Sequence, residues 1–266
     1  LSPGSYLLKN ESSNGLLKFI DVTKDIAPFM SELGMVSDAE WVDIDGDEQL
    51  DLVVVGEWTP IKVIKNLENE FEDVSTNSGL NEQTGWWFSI ATADFDNDGD
   101  KDFIVGNLGT NYKYQATMAE PFEVYASDFD KSGSLDIVLG YHEDGKVYPL
   151  RGRECSSNQM PFIKEKFPNY NEYGLADISE VYGEEDLKKS LHYLVTTFAT
   201  SYVENLGNFK FKVTELDGMA QFSSTNSILI DDFNGDGNID ALLSGNLYQA
   251  EVETPRNDGG YGVLLE

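Results

Sequence analysis

Asp94-Phe95-Asp96-Asn97-Asp98-Gly99-Asp100-Lys101-Asp102, followed at once by Phe103-Ile104-Val105-Gly106, decides how the chain is read. Oxygen-bearing side chains stand at positions one, three, five and nine, and an apolar run ending in Gly comes next. The same frame recurs at 43–51, 128–136 and 232–240, with Gly56, Gly140 and Gly245 closing the apolar runs. Oxygens at this spacing suit Ca2+, a hard ion that takes six to eight oxygen ligands in a flexible shell. Alternate residues of a tight loop turn inward together, and position seven adds a backbone carbonyl. The candidate ligands are therefore Asp43, Asp45, Asp47, Gln49 and Asp51; Asp94, Asp96, Asp98, Asp100 and Asp102; Asp128, Asp130, Ser132, Ser134 and Asp136; Asp232, Asn234, Asp236, Asn238 and Asp240. Up to four Ca2+ ions are expected. Gly99, Gly133 and Gly237 occupy position six, where the loop must turn sharply; Glu48 stands there in the first loop.

An EF-hand needs a bidentate Glu at position twelve between two helices. Position twelve is Val54, Val105, Leu139 or Leu243, so that motif fails four times. Asp, Asn and Gly also mark ordinary turns. A plain hairpin, however, has no need of carboxylates at all four ligand positions, where they repel one another unless neutralised. Ligand charge ranks the loop at 94–102 tightest and the loop at 128–136, with Ser132 at position five, weakest.

The 266 residues carry a formal charge of −30 and 40% hydrophobic residues, enough for a real core. Four Ca2+ ions leave the charge at about −22, which disfavours nucleic acid and anionic membrane as partners. One cysteine, Cys155, and two histidines, His142 and His192, offer no zinc site and no intrachain disulfide. No apolar run reaches membrane-spanning length. The chain begins at Leu1 without a signal-like segment and is read as a piece of a larger polypeptide.

Around the loops, strand-like segments recur: 5–10 with 19–22, 62–66 with 71–74, and 202–205 with 209–213, the first of each pair ending in Asn at 10, 66 and 205. Four short strands per unit of roughly 50 residues is the period of a β-propeller blade. The expected fold is all-β, with about four blades of about four strands in one domain over 1–266. Each loop should join two strands of one blade, and the runs 52–55, 103–105, 137–139 and 241–243 should be buried on both faces. The second blade is read as shortened through 107–112. A helical insertion over 156–192 is placed on the third blade, supported by Glu184/Lys188 and Glu185/Lys189 at helical spacing.

The loops resemble the calcium-binding propeller repeats of the FG-GAP and VCBS families, which also build the head of integrin α chains. The wider sequence resembles the cartilage acidic protein and ASPIC/UnbV type. Pro3-Gly4-Ser5-Tyr6-Leu7, Gly56-Glu57-Trp58-Thr59-Pro60, Gly85-Trp86-Trp87, Gly106-Asn107-Leu108-Gly109, Gln159-Met160-Pro161 and Gly245-Asn246-Leu247-Tyr248 carry that likeness. The resemblance implies an exported, non-enzymatic module at the cell surface, serving binding, adhesion or scaffolding toward a protein or glycan. The other reading is a carbohydrate-active domain, a polysaccharide lyase or a lectin. No nucleophile elbow, phosphate loop or zinc-protease motif is present. Trp41, Trp58, Trp86 and Trp87 suit sugar stacking or core packing; Arg151 and Arg153 suit an acidic ligand or surface ion pairs.

Overall fold

A computed structural model describes residues 4–68, 70–250 and 253–266. Pro3 of the resemblance lies outside them. The chain is mostly β-structure. β1 (Leu8–Asn10) pairs with β2 (Phe19–Asp21), and a short helix α1 (Thr23–Ile26) follows. β3 (Met35–Val42), β4 (Asp51–Pro60), β5 (Lys62–Asn66) and β6 (Phe71–Asp73) form an antiparallel sheet in chain order, and β7 (Thr84–Trp86) pairs with the far half of β4. β8 (Ser89–Ala93) and β9 (Asp102–Gly106) start the next sheet. β10 (Phe122–Ser127), β11 (Asp136–Glu143) and β12 (Lys146–Pro149) follow in the chain. Then come five short helices, α2 (Arg153–Gln159), α3 (Phe162–Lys166), α4 (Tyr170–Leu175), α5 (Ile178–Tyr182) and α6 (Glu184–Lys189), and the strand β13 (Leu191–Val195). β14 (Ser201–Asn205) and β15 (Phe211–Glu215) precede a last sheet of β16 (Ser227–Asp231), β17 (Asp240–Ser244) and β18 (Val263–Leu265).

These elements form two compact units. One holds residues 4–112, 198–250 and 256–266, and the other residues 113–197 and 253–255. In the first unit the second sheet has the order β15-β14-β9-β8, with Ser201 opposite Val105 and Val203 opposite Phe103. The strands β14 and β15 therefore complete the sheet begun by the loop at 94–102. The expected shortened blade through 107–112 is corrected, because the chain leaves this sheet after β9 and returns to it at β14. The segment in between makes its own sheet, β12-β11-β10-β13, in the second unit.

Burial follows from what covers each strand. Val53, Val55, Val63, Trp87, Ile90, Phe103, Val105, Val203 and Phe211 share one core between the first two sheets. On the opposite side of β4, Leu52 and Val54 pack with Ala27, Met30 and Ile64. On the opposite side of β9, Ile104 packs with Ala220, Ala241 and Leu243. With both faces covered, 52–55 and 103–105 are continuously buried, as their apolar runs predict. Each such Val, Ile or Phe contributes roughly 1.5–3 kcal/mol by leaving water.

The run 137–139 behaves differently. Val138 is buried among Met160, Ile163, Ile178 and Val181 of the helices, but Ile137 on the other face is 48% exposed. Only one face of β11 is covered within its unit, so burial alternates. In β17 Leu242 is likewise only half-buried while Ala241 and Leu243 are core.

The helices span Arg153–Lys189, close to the expected 156–192. Each is short. The chain is broken at Pro161 and Pro168, and new starts are capped by Asn169 and by the capping box of Asp177 and Glu180. On α6, Lys188 binds both Glu184 at 2.7 Å and Glu185 at 3.5 Å, taking the partner that spacing assigns to Lys189.

Candidate metal centres

All four loops join neighbouring antiparallel strands: β3 to β4, β8 to β9, β10 to β11, and β16 to β17. Their backbones share one pattern. Position six is left-handed in each, with φ of 68° at Glu48, 103° at Gly99, 87° at Gly133 and 93° at Gly237. So is position four, with φ of 76° at Gly46, 61° at Asn97, 59° at Lys131 and 78° at Gly235. The sequence reading identified only position six. Gly and Asn tolerate this region best, so their use at position four in three loops was the available signal.

Two left-handed residues aim the intervening N–H groups at the first Asp. The N–H at position six donates to Oδ2 of Asp43, Asp94, Asp128 or Asp232 at 2.9–3.1 Å. The oxygen at position five accepts from the N–H at position seven in all four loops, through Asp47, Asp98, the Ser132 hydroxyl or Asp236. These bonds turn position-one, -three and -five side chains together. Carboxylate oxygens of Asp43, Asp45 and Asp47 lie within 4.8 Å of one another, and so do those of Asp94, Asp96 and Asp98. In the third loop, Asp128, Asp130 and Asp136 make the corresponding group. The fourth loop has neutral Asn234 between Asp232 and Asp236, and the Asp236 N–H donates to both Asp232 and Asn234.

Position nine is the anchor. Asp51, Asp102, Asp136 and Asp240 are all buried, and Oδ2 of each accepts the N–H of position two, at Ile44, Phe95, Phe129 or Phe233. In the first two loops the other oxygen is taken by the third strand. The N–H of Asn66 donates to Asp51 and that of Asn205 to Asp102, each at 2.8 Å. The side chains of these two residues donate separately to the first loop, Asn66 Nδ2 to the Leu50 carbonyl at 3.0 Å and Asn205 Nδ2 to the Ile44 carbonyl at 3.1 Å. The Tyr202 hydroxyl adds a bond to Asp102 at 2.7 Å, and Gln159 of α2 serves Asp136 at 3.1 Å. In the fourth loop, Asp240 Oδ1 is buried without a hydrogen-bond partner among the described residues, as is Asp100 Oδ1 in the second.

The electrostatics match crowded acids. Burial, with Asp98, Asp102, Asp96 and Asp94 around it, pushes the Asp100 carboxyl up to about 6. Burial first, then its neighbours, also raises Asp96. In the first loop a cation is already at hand. The Lys65 ammonium binds Asp45 and lies 4.0 Å from Asp47, and the Asp45 bond holds Lys65 above its ordinary value. Orphaned buried carboxylate oxygens and converging acids fit a bound divalent cation. The carboxylates that converge are those at positions one, three and five in the first two loops and at positions one, three and nine in the third. Among position-seven side chains, Asn238 instead accepts from Asn97 at 3.4 Å, tying the second loop to the fourth.

Other candidate residues have structural partners. Trp87 is fully buried, its indole N–H donating to the Thr59 carbonyl at 3.1 Å, while Trp58 and Trp86 meet edge-on. Trp41 is 45% exposed beside Phe71. Arg153 donates to the carbonyls of Phe167, Lys164 and Pro168 rather than pairing with surface acids.

A family model described as FG-GAP-like repeat matches residues 43–105. The matched stretch begins at the first ligand of the first loop and ends in the core strand after the second. No curated protein matches the chain.

Proposed function

We propose that the four loops bind calcium and that the chain is a non-enzymatic, calcium-stabilised module of β-propeller type, exported and used for binding, adhesion or scaffolding at the cell surface. The observation that carries this reading is the fourfold recurrence of one loop geometry, with left-handed residues at positions four and six folding acidic oxygens around a common centre. The likeness of 43–105 to FG-GAP-like repeats supports it. So does the serial packing of sheets in the first unit, in which β4 and β9 are covered on both faces. Bound calcium neutralises the clustered carboxylates. Ligands would come from Asp43, Asp45 and Asp47; Asp94, Asp96 and Asp98; Asp128, Asp130 and Asp136; and Asp232, Asn234 and Asp236, with Asp51, Asp102 and Asp240 holding the loop ends. No helix among the described residues is long and apolar enough to cross a membrane.

The energetics of calcium binding favour a calcium-rich compartment such as the cell exterior. Extracellular calcium modules bind with constants of roughly 0.1–1 mM, and at about 2 mM Ca2+ each site then adds roughly 0.6–1.8 kcal/mol. Four sites give about 3–7 kcal/mol, comparable with a domain's net stability of roughly 5–15 kcal/mol. The test is calorimetric titration of chelator-treated protein together with melting in calcium and in EGTA. Saturable uptake of up to four ions and a steep loss of Tm in EGTA are expected. No uptake and an unchanged melt would defeat the proposal.

A further inference from the structure

The second unit contains a cavity of about 460 Å³ that shares no residue with the metal loops. That volume falls in the range of small-molecule sites, about 300–1,000 Å³. Lys113, Tyr114, Gln115, Tyr141, His142 and Glu143 supply its polar wall.

The wall is held from behind. His142 Nε2 lies 2.7 Å from Glu123 Oε1, and Glu123 is only 6% exposed. The same carboxylate takes His192 Nε2 at 2.7 Å on its other oxygen, together with the Tyr125 hydroxyl, whose ring stacks on His192 at 4.2 Å. With Nε2 engaged, Nδ1 is the His142 nitrogen left for a ligand. Tyr114 stacks on Phe122 at 4.8 Å, and its hydroxyl lies 3.1 Å from Thr254 Oγ1. Lys113 donates to the Glu253 carbonyl at 3.2 Å, which leaves two ammonium protons. The Glu253 carboxylate is itself fixed by the Gly152 N–H at 2.9 Å. Groups fixed in this way bind without first losing rotamer freedom.

The chemistry of the wall selects a ligand class. Lys113 and Glu143 carry opposite charges, so the fixed charges of Lys and Glu in the wall cancel. A polyanion meets Glu143 and the −30 charge of the chain, and a cation meets Lys113. A purely apolar ligand takes the charged heads of Lys113 and Glu143 out of water without replacing it. A neutral sugar ring answers all three. Its hydroxyls both donate and accept, matching the Lys113 donor and the His142 and Glu143 acceptors, and its C–H face suits the half-buried ring of Tyr141. We propose that this cavity binds one neutral sugar unit of a glycan.

The test is an array of neutral and acidic glycans probed with the whole chain, followed by calorimetry on the best neutral oligosaccharide and on an oligogalacturonate. Neutral glycans are expected to bind and the oligogalacturonate to bind more weakly. Tyr141→Ala and Gln115→Ala should each weaken neutral binding about tenfold, with calcium uptake unchanged. Gln115 is exposed, so its variant keeps the fold if Tyr141→Ala does not. No neutral ligand on the array, tighter binding of the acidic one, or unchanged affinity in Gln115→Ala and a folded Tyr141→Ala would each overturn the assignment. Calcium uptake, read in the same samples, reports separately on the metal loops.

Discussion

Glu48→Gly isolates the backbone cost of the first loop. Glu48 sits at φ 68°, in the position that Gly99, Gly133 and Gly237 fill in the other loops. A residue with a Cβ pays roughly 1–2 kcal/mol in this region. Glycine removes that strain but returns roughly 0.5–1 kcal/mol through the entropy of its unfolded chain. The N–H that reaches Asp43 at 2.9 Å is backbone and survives the change. The net gain is about 0–1.5 kcal/mol, with a midpoint of about 0.75 kcal/mol that raises Tm by about 1.5–3 °C for a unit of this size. Because the strain is in the loop and not in the ion, the gain should appear in EGTA as well as in calcium. Gly237→Ala is the mirror experiment. Its added Cβ meets nothing within 4 Å, so any loss comes from φ of +93° alone. Melts of both variants with and without EGTA decide the matter. If Glu48→Gly leaves Tm unchanged or lower while Gly237→Ala is tolerated, backbone strain does not set the cost of these loops.

Lys65→Met should tighten the first loop for calcium, because the ammonium that binds Asp45 and approaches Asp47 competes with the ion; calorimetry on the variant checks it, and weaker uptake would refute the competition. Asp94→Ala is expected to remove the tightest calcium step and Asp128→Ala the weakest, read from titrations of the single variants. Burial alone would raise Glu123, but hydrogen bonds from His192, Tyr125 and His142 outweigh it and hold the carboxyl down at about 2. A depressed carboxylate stabilises above its unfolded value, near 4.5, and that contribution fades as pH falls from there toward 2. It amounts to roughly 3 kcal/mol. Glu123→Gln should therefore flatten the acid limb of stability between those values, measured by denaturant unfolding at stepped pH.

What the sequence disclosed was what lies within one hairpin. The spacing of Asp94, Asp96 and Asp98 places three carboxylates together because a nine-residue loop closes on itself, and the apolar run 103–105 announces its burial. Pairings across a long interval were hidden. Consecutive strands usually pair, so 202–205 reads as belonging with the nearest upstream loop, at 128–136. It belongs instead with β9, because a whole compact unit is inserted between them. The meeting of His142 and His192 on Glu123 is hidden for the same reason. The three residues sit on β11, β13 and β10, and only the sheet registers bring them together. Burial at 137–139 misled because an apolar run says nothing about how many layers will cover it.

The glycines explain why the loop recurs in both units while the packing around it does not. Within the loops, a Cβ added at Gly46, Gly99, Gly133, Gly235 or Gly237 would meet nothing within 4 Å, so these positions are chosen for backbone angle. The glycines that end the apolar runs are chosen for space. In the first unit a Cβ at Gly56 would lie 2.2 Å from the Met35 carbonyl oxygen, at Gly106 2.2 Å from that of Thr225, and at Gly245 2.3 Å from that of Ser224. Backbone cannot yield there, so these three positions fix close main-chain approach just past the apolar run. At Gly140, in the second unit, the nearest atoms are side-chain ends, Val147 Cγ1 at 2.8 Å and Ile178 Cδ1 at 3.2 Å. Flexible methyl groups replace backbone, in keeping with a sheet covered by helices instead of by another sheet. The loop half of the hairpin depends only on its own dihedral angles and carboxylates, and so it survives in a different unit. The part just past the apolar run depends on what packs against it, and there the copies diverge.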